Sequence, residues 1–211
     1  MDPVLLFQIN PSSGVPIYRQ LMDQVRTLIG AGRLTEGAMV PSVRQIAEGL
    51  HYGNSPFEYP REFIKGKTLV LTTTNGTRLL QMALDKNAKA IITGSFPNLS
   101  AVCNFLLAQK QHVILGCAAW KNRVNIEDTL FAGAVINRIG AHFSINCDSS
   151  QMAATMYNDA KADLFQFMKS KNASHYQRLS GYGLEKDIEY CLTEDLANTT
   201  VVYEDGKLLA K

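Results

Sequence analysis

Three clusters of polar residues each follow a short apolar run, and the first suits the binding of an oxyanion. Residues 72–77 read TTTNGT, so that hydroxyl groups, an amide and a glycine come directly before a helical pattern. Glycine lets the backbone approach a ligand closely, and the first N–H groups of a helix have no partner within it. A phosphate group suits both features. Plain capping of the helix by Thr or Asn would explain the same residues without a ligand.

The second cluster repeats this design one strand further along the chain. Residues 94–100 read GSFPNLS and again precede a helical pattern. Asn98 or Ser100 could act only as the N-cap of that helix. Taken alone, this cluster favours plain capping, but capping becomes less favoured because two neighbouring strands end in the same chemistry.

The third cluster combines a thiol, basic residues and an acidic pair. Cys117 ends an apolar run, residues 121–123 read KNR, and Glu127 and Asp128 fall in the first turn of a predicted helix. The carboxylates could simply complement the helix dipole. An acidic pair beside phosphate-binding loops is also what Mg²⁺ requires. No histidine near Cys117 in sequence could activate its thiol, so a small buried residue is the favoured interpretation.

The four histidines show no spacing typical of a metal site. His175 opens a polar stretch, residues 174–191, that also contains Arg178, Tyr182 and Lys186. This stretch could form a lid or an anion-binding wall. A solvated loop that leads into a capped helix explains it equally well.

The elements that must position these clusters alternate between strand and helix. Short apolar runs at 68–73, 90–94 and 112–117 precede helical patterns at 77–86, 99–110 and 126–139. Further helices are predicted around 149–170 and 184–192, and residues 200–211 predict a terminal strand or hairpin. The alternation predicts an α/β fold, a three-layer α/β/α arrangement with a mainly parallel sheet. Ligands bind beyond the carboxyl ends of such strands, so the three clusters should meet at one rim.

The first 50 residues have a different, helical texture. Residues 16–32 predict an amphipathic helix that begins at a proline, and residues 42–50 predict a short second helix. Residues 51–60 are rich in turn formers. We therefore predict two parts, a helical segment over 1–50 and an α/β domain over 51–211.

Composition excludes several classes of protein. Of 211 residues, 46% are hydrophobic and 19% charged, and no apolar run is long enough for a membrane span. With no signal-peptide pattern, we expect a cytoplasmic protein without a membrane partner. The formal charge of +2 implies no strong nucleic-acid field. Four singly spaced cysteines predict free thiols, most of them buried.

Five motifs resemble, in order and spacing, the 2-phosphosulfolactate phosphatases of coenzyme M biosynthesis. They are GNSPFEY (53–59), GKTLVLTTTNGTR (66–78), GSFPNLSAV (94–102), EDTLFAGAV (127–135) and SGYGLEKDIEYC (180–191), and the likeness covers about residues 53–205. The resemblance implies a Mg²⁺-dependent hydrolase that acts on a small phosphate monoester of a sulfonated hydroxy acid.

The resemblance, together with the three clusters, also implies roles for individual residues. Asp128, Glu127 and Asn75 would be catalytic, and Glu127 and Asp128 would be the metal ligands. Residues expected to bind the substrate or its phosphate are Asn54, Ser55, Thr73, Thr74, Gly76, Thr77, Ser95, Asn98 and Arg123. At 117–120 the sequence reads CAAW, where the family pattern leads us to expect a small Gly-Thr type turn.

Residues 1–50 look like the start of a GntR-type winged-helix domain, in place of the N-terminal segment expected of the phosphatases. The recognition helix and the wing are missing from the match, so specific DNA binding is not expected. The chain thus resembles a chimera in which residues 1–50 cover part of the α/β domain. Exposed apolar surface at such a junction favours a homodimer. Two alternatives to the phosphatase remain, a recombined scaffold without natural activity and a GntR-type DNA-binding transcriptional regulator.

Overall fold

The computed structural model describes residues 20, 23, 24, 27 and 31, residues 55–65 and residues 74–211. The chain divides into two compact units, Met1–Thr72 and Thr73–Lys211. The predicted division between residues 50 and 51 falls outside the described residues and stays a prediction. Within the described ranges, no helix is long and apolar enough to cross a membrane.

The first unit is helical where the predicted amphipathic helix over 16–32 can be checked. Gln20, Asp23, Gln24 and Thr27 are helical. The Gln24 Nε2 donates to the Gln20 carbonyl at 3.1 Å, and the Thr27 Oγ1 donates to the Asp23 carbonyl at 2.8 Å. The predicted second helix at 42–50 lies outside the described residues, so a winged-helix arrangement is not supported.

Two short helical turns follow in the same unit. A 3₁₀ turn covers Pro56–Glu58, and the four-residue helix α1 covers Arg61–Ile64. The Ser55 hydroxyl accepts a hydrogen bond from the Phe57 N–H at 3.3 Å. Because Pro56 lacks an N–H and the Ser55 oxygen satisfies a later one, the sequence SPFE begins this turn without unpaired donors.

The second unit contains seven helices among its described residues. They are α2 (Thr74–Asp85), α3 (Leu99–Gln109), α4 (Ile126–Ile139), α5 (Asp148–Ala160), α6 (Leu164–Ser170), α7 (Ser174–Ser180) and α8 (Glu185–Leu192). Helix α4 has the bounds that its apolar pattern predicts, and α3 ends one residue earlier than predicted. Helix α7 occupies the polar stretch for which the sequence left a lid, an anion-binding wall or a surface loop open.

The sheet of this unit is small and antiparallel. Strands β1 (Ile92–Thr93), β2 (Val201–Glu204) and β3 (Lys207–Ala210) lie in the order β1-β2-β3, and both pairings are antiparallel. Asp205 and Gly206 join β2 to β3 with φ of 48° and 80°. Two positive φ angles match the twist of a two-residue hairpin, so the predicted terminal hairpin is confirmed.

The prediction of a mainly parallel sheet is wrong for the described residues. The apolar run at 90–94 does contain β1, but its partner is the C-terminal hairpin, with Ile92 opposite Val202. The run at 112–117 forms no strand, and the run at 68–73 lies outside the described residues. Val113 and Leu115 still pack against the core while Ile114 is 94% exposed. Period-two alternation therefore shows which side chains face the core and does not show which strand is the neighbour.

Helix α4 lies at the centre of the core. Its Leu130 and Val135 are fully buried, together with Leu99 of α3. Phe96, just before α3, packs edge to face on Phe131 of α4 with ring centres 5.6 Å apart. Packing in the core therefore fixes the position of α4, and with it the position of the residues in its first turn.

A polar network ties the C-terminal half of α4 to its neighbours. Arg138 donates to Glu194 at 2.5 Å and to Asp195 at 3.0 Å. Asp195 accepts from the backbone N–H and the hydroxyl of Ser100 at 2.6 and 2.7 Å, and so satisfies a donor in the first turn of α3. The Tyr157 hydroxyl of α5 donates to Glu194 at 2.6 Å.

Removing the Tyr157 hydroxyl is expected to lower stability by about 1.5 kcal/mol at pH 7, because hydrogen bonds to charged groups are among the stronger ones. Burial, and then the Glu194 carboxylate, raises the pKa of Tyr157 from 10.0 to about 12. The native state thus retains the phenolic proton, and its contribution is full below pH 10 and lost between pH 10 and 12. Urea unfolding of Tyr157→Phe and wild type at several pH values measures this. A difference that is constant up to pH 12 would contradict the assignment.

Candidate active site

The first turn of α4 directs two carboxylates toward different partners. Consecutive residues of a helix point about 100° apart, so Glu127 and Asp128 cannot face the same point. The Glu127 Oε1 contacts the Nδ1 of His175, and the Asp128 Oδ2 accepts from the Ala119 N–H at 2.8 Å. The acidic pair thus links α4 to α7 on one side and to the 117–123 loop on the other.

The contact between Glu127 and His175 joins residues 48 positions apart in sequence. Both side chains are partly buried. Helix α7 is held against α6 by an edge-to-face contact of Tyr176 with Phe165, whose ring centres lie 5.6 Å apart. A carboxylate on Nδ1 fixes the orientation of an imidazole and leaves Nε2 as the ring nitrogen that can exchange a proton. The sequence contains no spacing signal for this pairing.

Asp128 is a carboxyl group in a mixed environment. Burial raises its pKa above the ordinary value, and the charge of Glu127 adds to the rise. The backbone N–H groups of Ala119 and Ala118 and the nearby His175 act in the opposite direction. A half-buried carboxyl with a perturbed pKa and fixed geometry is typical of a functional group.

The loop before α4 is a tight turn with an unusual backbone. Trp120 and Arg123 exchange two backbone hydrogen bonds of 3.0 and 2.9 Å across Lys121 and Asn122. Lys121 and Asn122 have φ of 50° and 60°, as a type I′ turn requires, and Ala119 has φ of 62°. Only asparagine among these three residues adopts this conformation readily. Ala119, in this left-handed conformation, points its N–H toward the Asp128 carboxylate.

Cations gather around this loop from three elements. The Arg78 Nη1 of α2 donates to the Asn122 Oδ1 at 2.6 Å. The Arg178 guanidinium of α7 and the Lys121 ammonium each lie 4.6 Å from the centre of the Trp120 ring. Arg123 is exposed at the end of the same turn. The starts of α2 and α4, the loop and α7 therefore meet in one region.

The structure places part of the first polar cluster at this region. Asn75 is half-buried in the first turn of α2, about one turn before Arg78, and its neighbours Gly76 and Thr77 are exposed. Thr74 begins α2, but its side chain is outside the description, as are Thr73 and Asn54. Ser55 belongs to the other unit, where its hydroxyl caps a 3₁₀ turn. The phosphate-binding roles of these residues stay predictions.

The second cluster is used within the fold. Asn98 is 7% exposed, and its Oδ1 accepts from the N–H and the hydroxyl of Ser95 at 2.8 and 3.1 Å. Its Nδ2 donates to the Thr199 carbonyl at 2.9 Å. Contrary to the capping interpretation, Asn98 makes no side-chain cap bond to α3; its side chain instead bonds Ser95 at the start of the 3₁₀ turn Phe96–Asn98 and the Thr199 carbonyl. A direct phosphate contact remains a prediction, and the exposed Ser95 is the better placed of the two.

Cysteine chemistry is not favoured at this site. All four thiols are free, as predicted, but only Cys103 is buried, and Cys117, Cys147 and Cys191 are exposed. The expectation that most would be buried is wrong, because Cys117 follows an irregular segment rather than a core strand. Although the residue as a whole is exposed, neighbouring protein atoms partly desolvate its thiol; this effect, and then the Asp128 charge, raises the pKa of Cys117. A raised pKa reduces the thiolate that a nucleophile requires.

Asp128 is better placed than Glu127 to hold a Mg²⁺ ion, which stays a prediction for both residues, because no side chain of the described residues bonds to the Asp128 carboxylate. Within residues 55–65 and 74–211, no group of three or more His, Cys, Asp or Glu side chains is placed to hold a metal. Glu127 is engaged by His175, whereas Asp128 faces the loop. Mg²⁺ commonly binds through one or two carboxylates together with water and substrate phosphate. The ligand role of Glu127 stays a prediction.

Two open clefts on this unit lie apart from the α4 start. One is lined by residues between 161 and 194, the other by residues between 151 and 171. Neither includes Asn75, Asn98 or Asp128. The candidate site is thus an exposed rim of charged groups rather than one of these clefts.

Comparison with known proteins identifies the family. Residues 44–206 match the family model described as 2-phosphosulpholactate phosphatase. A protein of Thermotoga petrophila is 39% identical over 178 residues, which are 83% of this chain and 75% of the relative, and one of Thermotoga maritima is 38% identical over the same shares. A Clostridium tetani protein is 36% identical over 160 residues, 75% of this chain and 66% of the relative.

All three relatives carry the name probable 2-phosphosulfolactate phosphatase. The matched region contains the whole of α4, the loop before it and α7. It begins at residue 44, earlier than the resemblance in the motifs indicated, while the GntR-type fusion is not shown. The chain therefore belongs to the 2-phosphosulfolactate phosphatase family.

Proposed function

We propose that the chain is a Mg²⁺-dependent phosphatase that hydrolyses 2-phosphosulfolactate, the phosphate ester that appears in the names of its relatives. The reaction would belong to a pathway of the coenzyme M type. The observation that carries the proposal is the oriented Glu127–His175 pair beside Asp128, in a region rich in cations. Phosphoryl transfer depends mainly on positioning and on stabilising negative charge. Both requirements are met by side chains of this region.

The cations and the start of α2 would bind the phosphoryl group. Arg78 stands one turn after Asn75, and its guanidinium bonds Asn122 while keeping other N–H donors. Gly76 lies in the first turn of α2, where the backbone N–H groups of a helix have no acceptor within it. Together they form a set of donors suited to phosphate oxygens.

His175 would move the proton in this proposal. Because Glu127 holds Nδ1, Nε2 can give a proton to the leaving alkoxide oxygen or take one from the attacking water. The sequence places His175 only in a polar stretch that could form a lid or an anion-binding wall; its contact with Glu127 supports the proton-transfer role.

Asp128 is the side chain that would hold Mg²⁺. A bound Mg²⁺ supplies positive charge that neutralises the transferring phosphoryl group. The Ala119 N–H on Oδ2 fixes the carboxylate in one orientation. No observation on the described residues favours the two alternatives, an inactive scaffold or a DNA-binding regulator.

Phosphate release by the purified full chain tests the proposal. Wild type with Mg²⁺ is expected to hydrolyse 2-phosphosulfolactate, and EDTA should lower the rate by at least about 100-fold. Asn75→Ala is expected to reduce kcat/KM by about 10-fold, the effect of one lost hydrogen bond to a charged group. Asn104→Ala on the exposed side of α3 is the matched control. Failure of wild type to release phosphate above the blank would reject the function.

A further inference from the structure

Two cations of the site share one aromatic ring. The Lys121 Nζ and the Arg178 Cζ each lie 4.6 Å from the centre of the Trp120 ring, so they lie within twice that distance of each other. No carboxylate pairs with either cation among residues 55–65 and 74–211. Arg138 in the same unit differs, because Glu194 and Asp195 both neutralise it.

Such an arrangement attracts an anion. Two like charges held close together repel, and the face of an indole ring compensates for this only in part. Trp120 and Arg178 are both partly buried, which strengthens electrostatic interactions relative to open water. The planar guanidinium offers paired N–H donors that match the two oxygens of a carboxylate or sulfonate.

The position of these residues relative to the reacting groups is fixed by local structure. Arg178 lies three residues after His175 on α7, so both side chains project from the same side of that helix. Trp120 directly follows Ala119, whose N–H holds Asp128. Arg178, whose guanidinium lies over the ring, and His175 are therefore about one helical turn apart along α7. An acidic group a few bonds from a phosphoryl group would span this separation.

We propose that Arg178, Lys121 and the Trp120 ring form an anion clamp that binds a second acidic group of the substrate and makes the enzyme specific for acidic phosphate esters. This inference rests on the proposed function. Arg178 supplies the paired donors, Lys121 adds charge, and Trp120 keeps both cations in place. Simple alkyl phosphates lack the second acidic group and do not use the clamp.

Two esters separate the clamp from the phosphoryl site. Arg178→Gln is expected to raise KM for 2-phosphosulfolactate by about 10- to 100-fold, since a charge-assisted hydrogen bond is lost, with little change in kcat. For ethyl phosphate, which has no second acidic group, kcat/KM should change less than about 2-fold. Arg178→Lys should restore part of the effect, because it keeps the charge without the paired donors.

A matched control exists in the same unit. Lys171 lies 5.4 Å from the centre of the Phe167 ring, the same kind of contact away from the start of α4. Lys171→Gln should leave both esters unaffected. An equal loss of kcat/KM for the two esters in Arg178→Gln would overturn the clamp, because Arg178 would then serve the fold or the phosphoryl group. No loss for either ester would also overturn it, because Arg178 would then contact neither acidic group.

Calorimetric titration with sulfolactate measures binding to the clamp without any turnover. This product carries both acidic groups and no phosphate. Its affinity is expected to fall about 10-fold or more in Arg178→Gln and to be unchanged in Lys171→Gln. If wild type hydrolyses neither ester, the proposed function fails, and the titration still tests the clamp. Equal sulfolactate affinity in wild type and Arg178→Gln would reject it.

Discussion

Asp128→Asn is expected to lower kcat for 2-phosphosulfolactate hydrolysis by at least about 100-fold. The amide has nearly the same size and can still accept the Ala119 N–H, so the loop should keep its position. What disappears is the negative charge that would hold Mg²⁺ beside the phosphoryl group. Steady-state phosphate release measures the effect, with Asp159→Asn on the exposed side of α5 as the control.

A metal-binding measurement separates this explanation from simple damage to the fold. Mn²⁺, followed by its EPR signal, can stand in for Mg²⁺ at a site of oxygen ligands. Its affinity should fall at least about 10-fold in Asp128→Asn and stay unchanged in Asp159→Asn. Full activity together with unchanged Mn²⁺ binding in Asp128→Asn would reject the assignment. Lost activity with unchanged binding would assign Asp128 to proton transfer instead.

Local patterns in the sequence were sufficient for the long helices and the final hairpin. The apolar spacing over 126–139 predicts the exact extent of α4 because one stripe of that helix faces the core. Residues 200–211 predict a terminal strand or hairpin, and the structure has the hairpin, in which Asp205 and Gly206 both adopt a positive φ. In each case the interactions that determine the element join residues only a few positions apart in sequence, and such local interactions are the ones that a sequence pattern reflects.

Strand pairing could not be predicted in the same way. The run at 90–94 gives a strand, but its neighbour comes from residues 201–204, more than a hundred positions later. The apolar run at 112–117 wrongly predicts a strand, although its Val113 and Leu115 do pack against the core. Apolar spacing reports burial on one face, whereas a ladder depends on a distant partner that the spacing does not specify.

The candidate site shows the same division. The sequence places Glu127 and Asp128 at the start of α4 because their neighbours predict that helix. It does not reveal that His175 contacts Glu127 or that Arg178 lies on Trp120, since α7 reaches them only through tertiary packing. Without a glycine at 119 there was also no signal for the left-handed backbone there.

The packing of α4 against α5 leads to the largest expected effect on stability. Gly133→Ala should destabilise the fold by about 3 kcal/mol or more. A Cβ at Gly133 would lie 2.1 Å from the Ala153 carbonyl oxygen and 2.8 Å from the Tyr157 Cβ. The first of these is backbone of a neighbouring helix, so no side-chain rotation can relieve the overlap. The two helices would have to separate by about 1 Å in a close-packed core.

Helix propensity alone would make Gly133→Ala stabilising, so the sign of the measured change in stability shows whether the overlap with α5 exists. Alanine is favoured over glycine inside a helix by about 1 kcal/mol, so a tolerated substitution would stabilise the protein. Gly140→Ala is the control, because a Cβ there would meet only side-chain methyl groups, those of Ile145 and Ile136 at 3.1 and 3.4 Å. Urea unfolding of both variants measures the difference. Equal or higher stability of Gly133→Ala would show that α4 and α5 do not approach as closely as their backbones indicate. Since α4 carries Glu127 and Asp128, a variant that folds with these helices apart should also lose hydrolysis.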